Sequence, residues 1–204
     1  MNVLITGGSR GLGLEIVKKF LNDGWNVYNI SRTRPEIYDE KFHHLNFDLS
    51  KTEEIKQKIF KEFITNKTKI DAVVHNAAVA YDDIVTNAKI EPLRNMYDIN
   101  VLSPTGYKGL SMYASTKGAL ESHSKNISRE WGIKGIRSNC VVPGFMDTEM
   151  SKSLTEDQKT KIYNRNSLKK ETDIESVAST VLFLCSKEAN SITGQNINVD
   201  CGTI

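Results

Sequence analysis

Two side chains in this 204-residue chain are spaced for proton chemistry. Tyr113 and Lys117 stand four apart in a segment of helical character, Met112–Trp131, so they share one helix face. A phenol with an ordinary pKa of about 10 is a poor proton shuttle near neutrality, and an ammonium group beside it lowers that pKa by favouring phenolate. Such a pair recurs by chance in helices, and its weight comes from a second feature at the start of the chain. Val3–Thr6 reads as a short buried strand that runs into Thr6-Gly7-Gly8-Ser9-Arg10-Gly11-Leu12-Gly13, and Leu12–Leu21 then carries apolar residues at helical spacing. Small residues let a backbone turn tightly and approach a pyrophosphate, while the opening of a helix presents unpaired N–H groups and the positive end of its dipole. Gly7, Ser9, Arg10, Gly11, Leu12 and Gly13 are therefore candidate contacts for the phosphates of a dinucleotide.

The next turn bears on which dinucleotide. Where a ribose 2′-hydroxyl is held, an acid usually follows the second strand. Here the second strand, Trp25–Ile30, leads into Ser31-Arg32-Thr33-Arg34 with no acid before Glu36. Arg32, with Arg10 in the glycine loop, suits a charge-assisted contact to a 2′-phosphate, so NADP(H) is favoured over NAD(H). The plainer role of either arginine is an exposed, solubilising charge.

The elements that must position these groups alternate along the chain. Further strands are expected at Leu45–Phe47, Ala72–His75, Ser138–Val142 and Ile197–Val199. Further helices are expected from a capping box at Ser50–Glu53 to about Ile64, and over Ile174–Leu184; Gly24 is the expected left-handed cap of the first helix. Alternation of this kind predicts one doubly wound, Rossmann-like α/β domain over 1–204, with a mostly parallel sheet. The polar stretch Ser151–Asp173 reads as a mobile insertion. Composition is ordinary for a globular protein, 39% hydrophobic and 25% charged. Lys and Arg number 27 against 25 Asp and Glu, a net charge of +2 that makes no electrostatic case for a nucleic-acid or membrane partner. Cys140, Cys185 and Cys201 are widely spaced, which fits reduced thiols and a cytoplasmic location, and Cys140 is expected in the core. His43-His44 lacks supporting ligands, so no metal site is expected, and His75 is expected to be buried and hydrogen-bonded. Phe145, Met146, Met150, Leu154 and Tyr163 either line an apolar substrate or pack a lid. Lys152, Lys159, Lys161, Lys169 and Lys170 either attract an acidic carrier protein or form a solvated face.

The spacing T-G-x-x-x-G-x-G resembles that of the short-chain dehydrogenase/reductase family, and further matches follow in order over nearly the whole chain. Asp48 matches the family's adenine-contacting aspartate, and Asn76-Ala77-Ala78 its N-A-G-like turn. Asn100 matches the asparagine of its proton relay, and Tyr113-Ala-Ser-Thr-Lys117 its Y-x-x-x-K. Pro143-Gly144 and Thr148 match the segment bordering the nicotinamide, and residues 139–204 look most like bacterial 3-oxoacyl-acyl-carrier-protein reductases. The resemblance implies hydride transfer between a nicotinamide and a small-molecule carbonyl or alcohol, carrier-protein-linked in the 3-oxoacyl case. In that scheme Tyr113 donates the proton, Lys117 lowers its pKa and grips the ribose, and Asn100 holds a relay water. A homodimer or homotetramer is implied as well.

One part of the pattern is missing. The family's serine lies about 13 residues before its tyrosine, and that position here is Asn100; Ser103 and Ser111 stand at other offsets. Only twelve residues, Val101–Met112, separate Asn100 from Tyr113. A crossover helix, a parallel strand and a turn do not fit in that length, so about 28 residues are missing between Pro104 and Thr105 relative to the family. Two accounts are open. Either a segment belongs at this junction that the 204 residues do not contain, or the protein lacks a central strand. The second would expose strand edges and empty part of the core, at a cost above the typical domain stability of about 5–15 kcal/mol. It also leaves room for a different class of protein, one that binds a dinucleotide as a sensor or scaffold without turning it over.

Overall fold

Val3, Leu4 and Ile5 are all buried in the first strand, β1 (Asn2–Thr6), because that strand is covered on both faces. Alternation sends Val3 and Ile5 to one face and Leu4 to the other. The computed structural model describes residues 1–65, 67–78, 111–148, 151 and 154–203, with the backbone alone for 111–113. β1 pairs in parallel with β2 (Asn26–Ser31) and β4 (Ala72–His75), and β2 pairs in parallel with β3 (Phe42–Asn46). The order β3-β2-β1-β4 is that of a doubly wound sheet, with its reversal point between β1 and β4.

Helix α1 (Gly11–Asn22) lays Ile16, Val17 and Phe20 on the Val3/Ile5 face. Phe20 meets Trp25 edge-on at 5.1 Å, and the chain leaves α1 through Gly24 at φ 82°. The opposite face holds Leu4, Ile30, Phe47, Ile59 and Ile64. There α2 (Thr52–Gln57) continues into a π-helical turn, Lys58–Phe63. The expected capping box at Ser50 does not form. Residue Lys51 stands at the cap with no side-chain bond, because the Ser50 amide is taken by the Asp48 carboxylate at 3.0 Å.

Helix α3 (Ser111–Trp131) precedes β5 (Cys140–Pro143), which pairs in parallel with β6 (Asn196–Val199). Among the described residues no ladder joins β4 to β5, so the sheet stands in two pieces. Helix α5 (Ile174–Cys185) packs against both α1 and the β5–β6 pair. Its Ala178 is buried in the same cluster as Val17 and Val3, and Lys19 of α1 pairs with Glu175. Between β5 and α5 lies α4 (Glu156–Tyr163), in the stretch expected to be a mobile insertion. Thr155 and Gln158 form a reciprocal capping box at its start, which gives this polar segment a helix of its own. Among the described residues no helix is long and apolar enough to cross a membrane.

Candidate functional site

Ligands of doubly wound sheets sit outside the carboxyl ends of the strands where the order reverses. The glycine loop occupies that position, between the ends of β1 and β4. Gly7 adopts φ 74°, a left-handed conformation that a side chain disfavours, and donates its N–H to Ile30 O at 2.8 Å. The Gly8 N–H donates to Asn29 Oδ1 at 3.0 Å. Gly13 lies under the loop, where an added Cβ would stand 2.1 Å from Gly7 O and 2.4 Å from Asn76 Nδ2. The close approach of helix to loop is therefore a requirement for glycine.

The turn after β4 is fastened to the same loop. Asn76 donates its side-chain N–H groups to Thr6 O at 3.2 Å and Gly7 O at 3.1 Å. The Thr6 hydroxyl in turn accepts from the amides of Asn76 and Ala77, each at 3.1 Å. The candidates Gly7, Asn76 and Ala77 are thus one hydrogen-bonded unit, with Ala78 exposed at its rim. Thr6, the first residue of the T-G-x-x-x-G-x-G pattern, belongs to that unit as well. At the opening of α1, Arg10 is the cap residue and supplies no side-chain acceptor, and the first turn holds no acid. The first-turn amides are therefore suited to an anion. Gly11 adopts φ 52° with open space around it, Ser9 is half-buried, Arg10 is exposed, and Leu12 packs its side chain on the core.

Arg32 is exposed beyond β2 and lines an open groove together with Phe47, Asp48 and Lys51. The Asp48 carboxyl is held below its ordinary pKa, first by the Ser50 amide, then by the Ser50 side chain and by the charges of Arg32 and Lys51. It is an ionised acceptor beside two cations.

Lys117 is only 3% exposed in α3, and burial pulls its pKa down to about 7. Tyr113 lies one turn earlier in the same helix; its side chain and all of Asn100 lie outside the described residues, as do Ser103, Pro104, Thr105, Met150 and Lys152. His75, expected to be buried, is exposed at the end of β4.

Past β5 the chain turns at Gly144, whose N–H donates to Val199 O at 3.0 Å, and a Cβ there would stand 2.7 Å from Asp200 Cα. The Thr148 amide donates to Ser151 Oγ at 2.8 Å, and that hydroxyl also contacts Asp147 Oδ1 at 2.9 Å. Lys159 of α4 reaches Asp147 Oδ2 at 2.7 Å and Glu156 Oε1 at 3.0 Å. Of the five lysines that might have faced an acidic carrier, Lys159 is thereby engaged within the chain. Phe145 packs against Tyr163 at 5.8 Å, so these two hold the segment down.

A short chain dehydrogenase family profile matches residues 1–105, and an Enoyl-(Acyl carrier protein) reductase profile matches residues 105–203. The 3-oxoacyl-[acyl-carrier-protein] reductase FabG of Chlamydia muridarum is 31% identical, with 98% of this chain and 95% of the relative covered. The FabG of Staphylococcus epidermidis is 27% identical, with 98% of each chain covered. Among solved structures, 4-hydroxyisoleucine dehydrogenase complexed with NADH matches with a TM-score of 0.91 at 21% identity, covering 98% of this chain and 97% of that one. ElxO with NADP bound matches at 0.88 and 23% identity, with the same coverage. The Chlamydia muridarum alignment runs over 237 positions although 98% of this chain is about 200 residues, so some 37 positions of the alignment have no residue here. The two family matches meet at residue 105.

Proposed function

Because the chain belongs to the short-chain dehydrogenase/reductase family, we propose that it is an NADPH-dependent oxidoreductase that reduces a carbonyl to an alcohol, with Tyr113 as proton donor. The observation that carries the proposal is the glycine loop fastened at the reversal point of the sheet, with the uncapped opening of α1 behind it. Bound there, the dinucleotide would supply the hydride. The amides of the loop and of the first turn of α1 would accept its pyrophosphate, and Asp48 would accept from the adenine amino group. Arg32, exposed in the Asp48 groove, is our choice for the 2′-phosphate. Pro143, Gly144 and Thr148 would border the nicotinamide, with Thr148 held in place by Ser151.

The proton steps fall to α3. When a carbonyl becomes an alkoxide it needs a proton, which the Tyr113 hydroxyl would give. Lys117, with its pKa near 7, can carry a charge or release it around neutral pH, which suits it both to lower the Tyr113 pKa and to pass the proton on. Asn100 would complete the path to solvent. The curated relatives act on 3-oxoacyl groups carried by a protein, and we extend a substrate of that type to this chain. We also carry forward a cytoplasmic location and a homodimer or homotetramer. Incubation with NADPH and a panel of carbonyls tests the proposal: the native chain should turn substrate over, and Tyr113→Phe should lose at least 100-fold, roughly the contribution of a positioned acid. Equal turnover by the two proteins rejects Tyr113.

A second reading has its own support. The two family matches meet at 105, where the serine-bearing strand of the family would stand. A chain truly lacking that strand would bind the dinucleotide without turnover. We favour a segment at the 104/105 junction over a shortened domain. Intact mass separates the two: about 3 kDa above 22.9 kDa, the size of some 28 residues, supports the segment. A mass of 22.9 kDa supports the second reading.

A further inference from the structure

A polar side chain in the middle of a doubly covered parallel strand is costly unless every hydrogen-bonding atom is used. Asn29 is such a residue. It is fully buried in β2, on the face packed by α1, and its neighbours in the strand are Tyr28 and Ile30. Its carboxamide is bonded on both sides. The Gly8 amide can only donate, so the atom facing it at 3.0 Å is the oxygen. The nitrogen of the carboxamide then faces Ser31 Oγ at 3.1 Å and His44 Nδ1 at 3.0 Å. His44 lies directly across from Asn29 in the β2–β3 register. With Nδ1 accepting, the imidazole proton is on Nε2. The Ser31 hydroxyl passes its own hydrogen to Thr33 O at 2.9 Å, in the turn that carries Arg32.

Gly8 fits this contact and no larger residue does. A Cβ there would stand 2.4 Å from Asn29 Oδ1 and 2.6 Å from Val17 Cγ2. The glycine loop is therefore seated from below by a carboxamide, and that carboxamide is oriented by an imidazole on the next strand.

We infer that Asn29 is a positioning residue for dinucleotide binding: it fixes the Gly8 amide, and with it the curvature of the phosphate loop, while His44 keeps the carboxamide turned the right way. The inference rests on the proposal that this loop receives a pyrophosphate. Ser31 keeps its bond to Thr33 O when Asn29 is replaced, so the 2′-phosphate turn is held independently of the loop.

The test is Asn29→Leu, which keeps the volume and removes the polar atoms. NADPH, which carries a pyrophosphate, and adenosine 2′-monophosphate, which does not, are each titrated against the native and substituted chains. Loss of one seated hydrogen bond should weaken NADPH about tenfold and leave adenosine 2′-monophosphate within about twofold. A purely structural defect would weaken both alike, and that outcome, or an unchanged NADPH affinity, overturns the inference. If Asn29→Leu does not fold, His44→Leu carries the test. It leaves β2 intact and should weaken NADPH about threefold with no effect on adenosine 2′-monophosphate; no change in NADPH affinity refutes the role. Failure of the native chain to bind either NADPH or NADH is a separate result that removes the dinucleotide proposal itself.

Discussion

Raising the pH from 7 to 8.5 should stabilise the ligand-free protein, and Lys117→Met should remove that gain. Lys117 is 3% exposed, and burial holds its folded pKa at about 7 against an ordinary value of 10.5. Between those two values the unfolded chain keeps the proton that the folded chain has shed, so the unfolded state binds more protons and stability rises with pH. Below pH 7 both states carry the charge, and the full cost of burying it is present. Starting from half-titration at pH 7, the gain by pH 8.5 integrates to between about 1 and 2 kcal/mol. For a domain of this size that is roughly 3–7 °C in Tm. Methionine keeps the apolar stem and drops the ammonium, so its profile should be flatter by that amount. The assay is thermal unfolding by circular dichroism at half-unit steps for both proteins. Burial also raises the thiol of Cys140 and takes that of Cys185 to about 11. Those groups oppose stability only as the pH passes the unfolded thiol value, and they cancel in the comparison. Parallel profiles for the two proteins would refute the assignment of Lys117 as a buried, easily neutralised amine.

Two further outcomes follow from the site. Arg32→Ala should weaken NADPH by about 10- to 100-fold, the scale of a charge-assisted contact, and leave NADH nearly unchanged; equal effects on both, measured by fluorescence titration, would remove Arg32 from the 2′-phosphate. Gly13→Ala places a methyl 2.1 Å from Gly7 O. Backbone must move to admit it, so dinucleotide binding should be lost, and calorimetric titration with native affinity would contradict the close helix-to-loop packing.

Much of the nucleotide half was legible because its signals are local. A buried parallel strand is an unbroken apolar run, as in Val3-Leu4-Ile5, and the glycine loop must follow it directly. β3 was placed too late in the chain because His43 and His44 interrupt the apolar run by which a buried parallel strand is recognised. Ser50–Glu53 has the letters of a capping box, and a competing acceptor two residues before Ser50, Asp48, took the amide that would have started it. Thr155–Gln158 carries an equally good signature inside a polar stretch and does form the box. His75 was expected to be buried and hydrogen-bonded because it ends an apolar strand, and it is exposed there. The pairing of Asn29 with Gly8 and His44 was not legible, since it joins residues from three separate segments and depends on the parallel register.

The 104/105 junction bears differently on binding and on turnover. Val73 of β4 is 49% exposed, and among the described residues β4 pairs with β1 alone. The glycine loop is held by the described residues themselves. It is seated on β2 through Gly7 and Gly8, on β4 through Asn76, and on α1 through Gly13. Helix α1 is in turn buried against α5, which shares a core with Val3, Ile5 and Phe20. Among the described residues the two sheets are thus joined by helix packing through α1 and α5. The proton chemistry has no such independence, because in the family its serine comes from the strand expected near the 104/105 junction. Binding should therefore survive whichever account of the 104/105 junction holds, and turnover is the measurement that separates them.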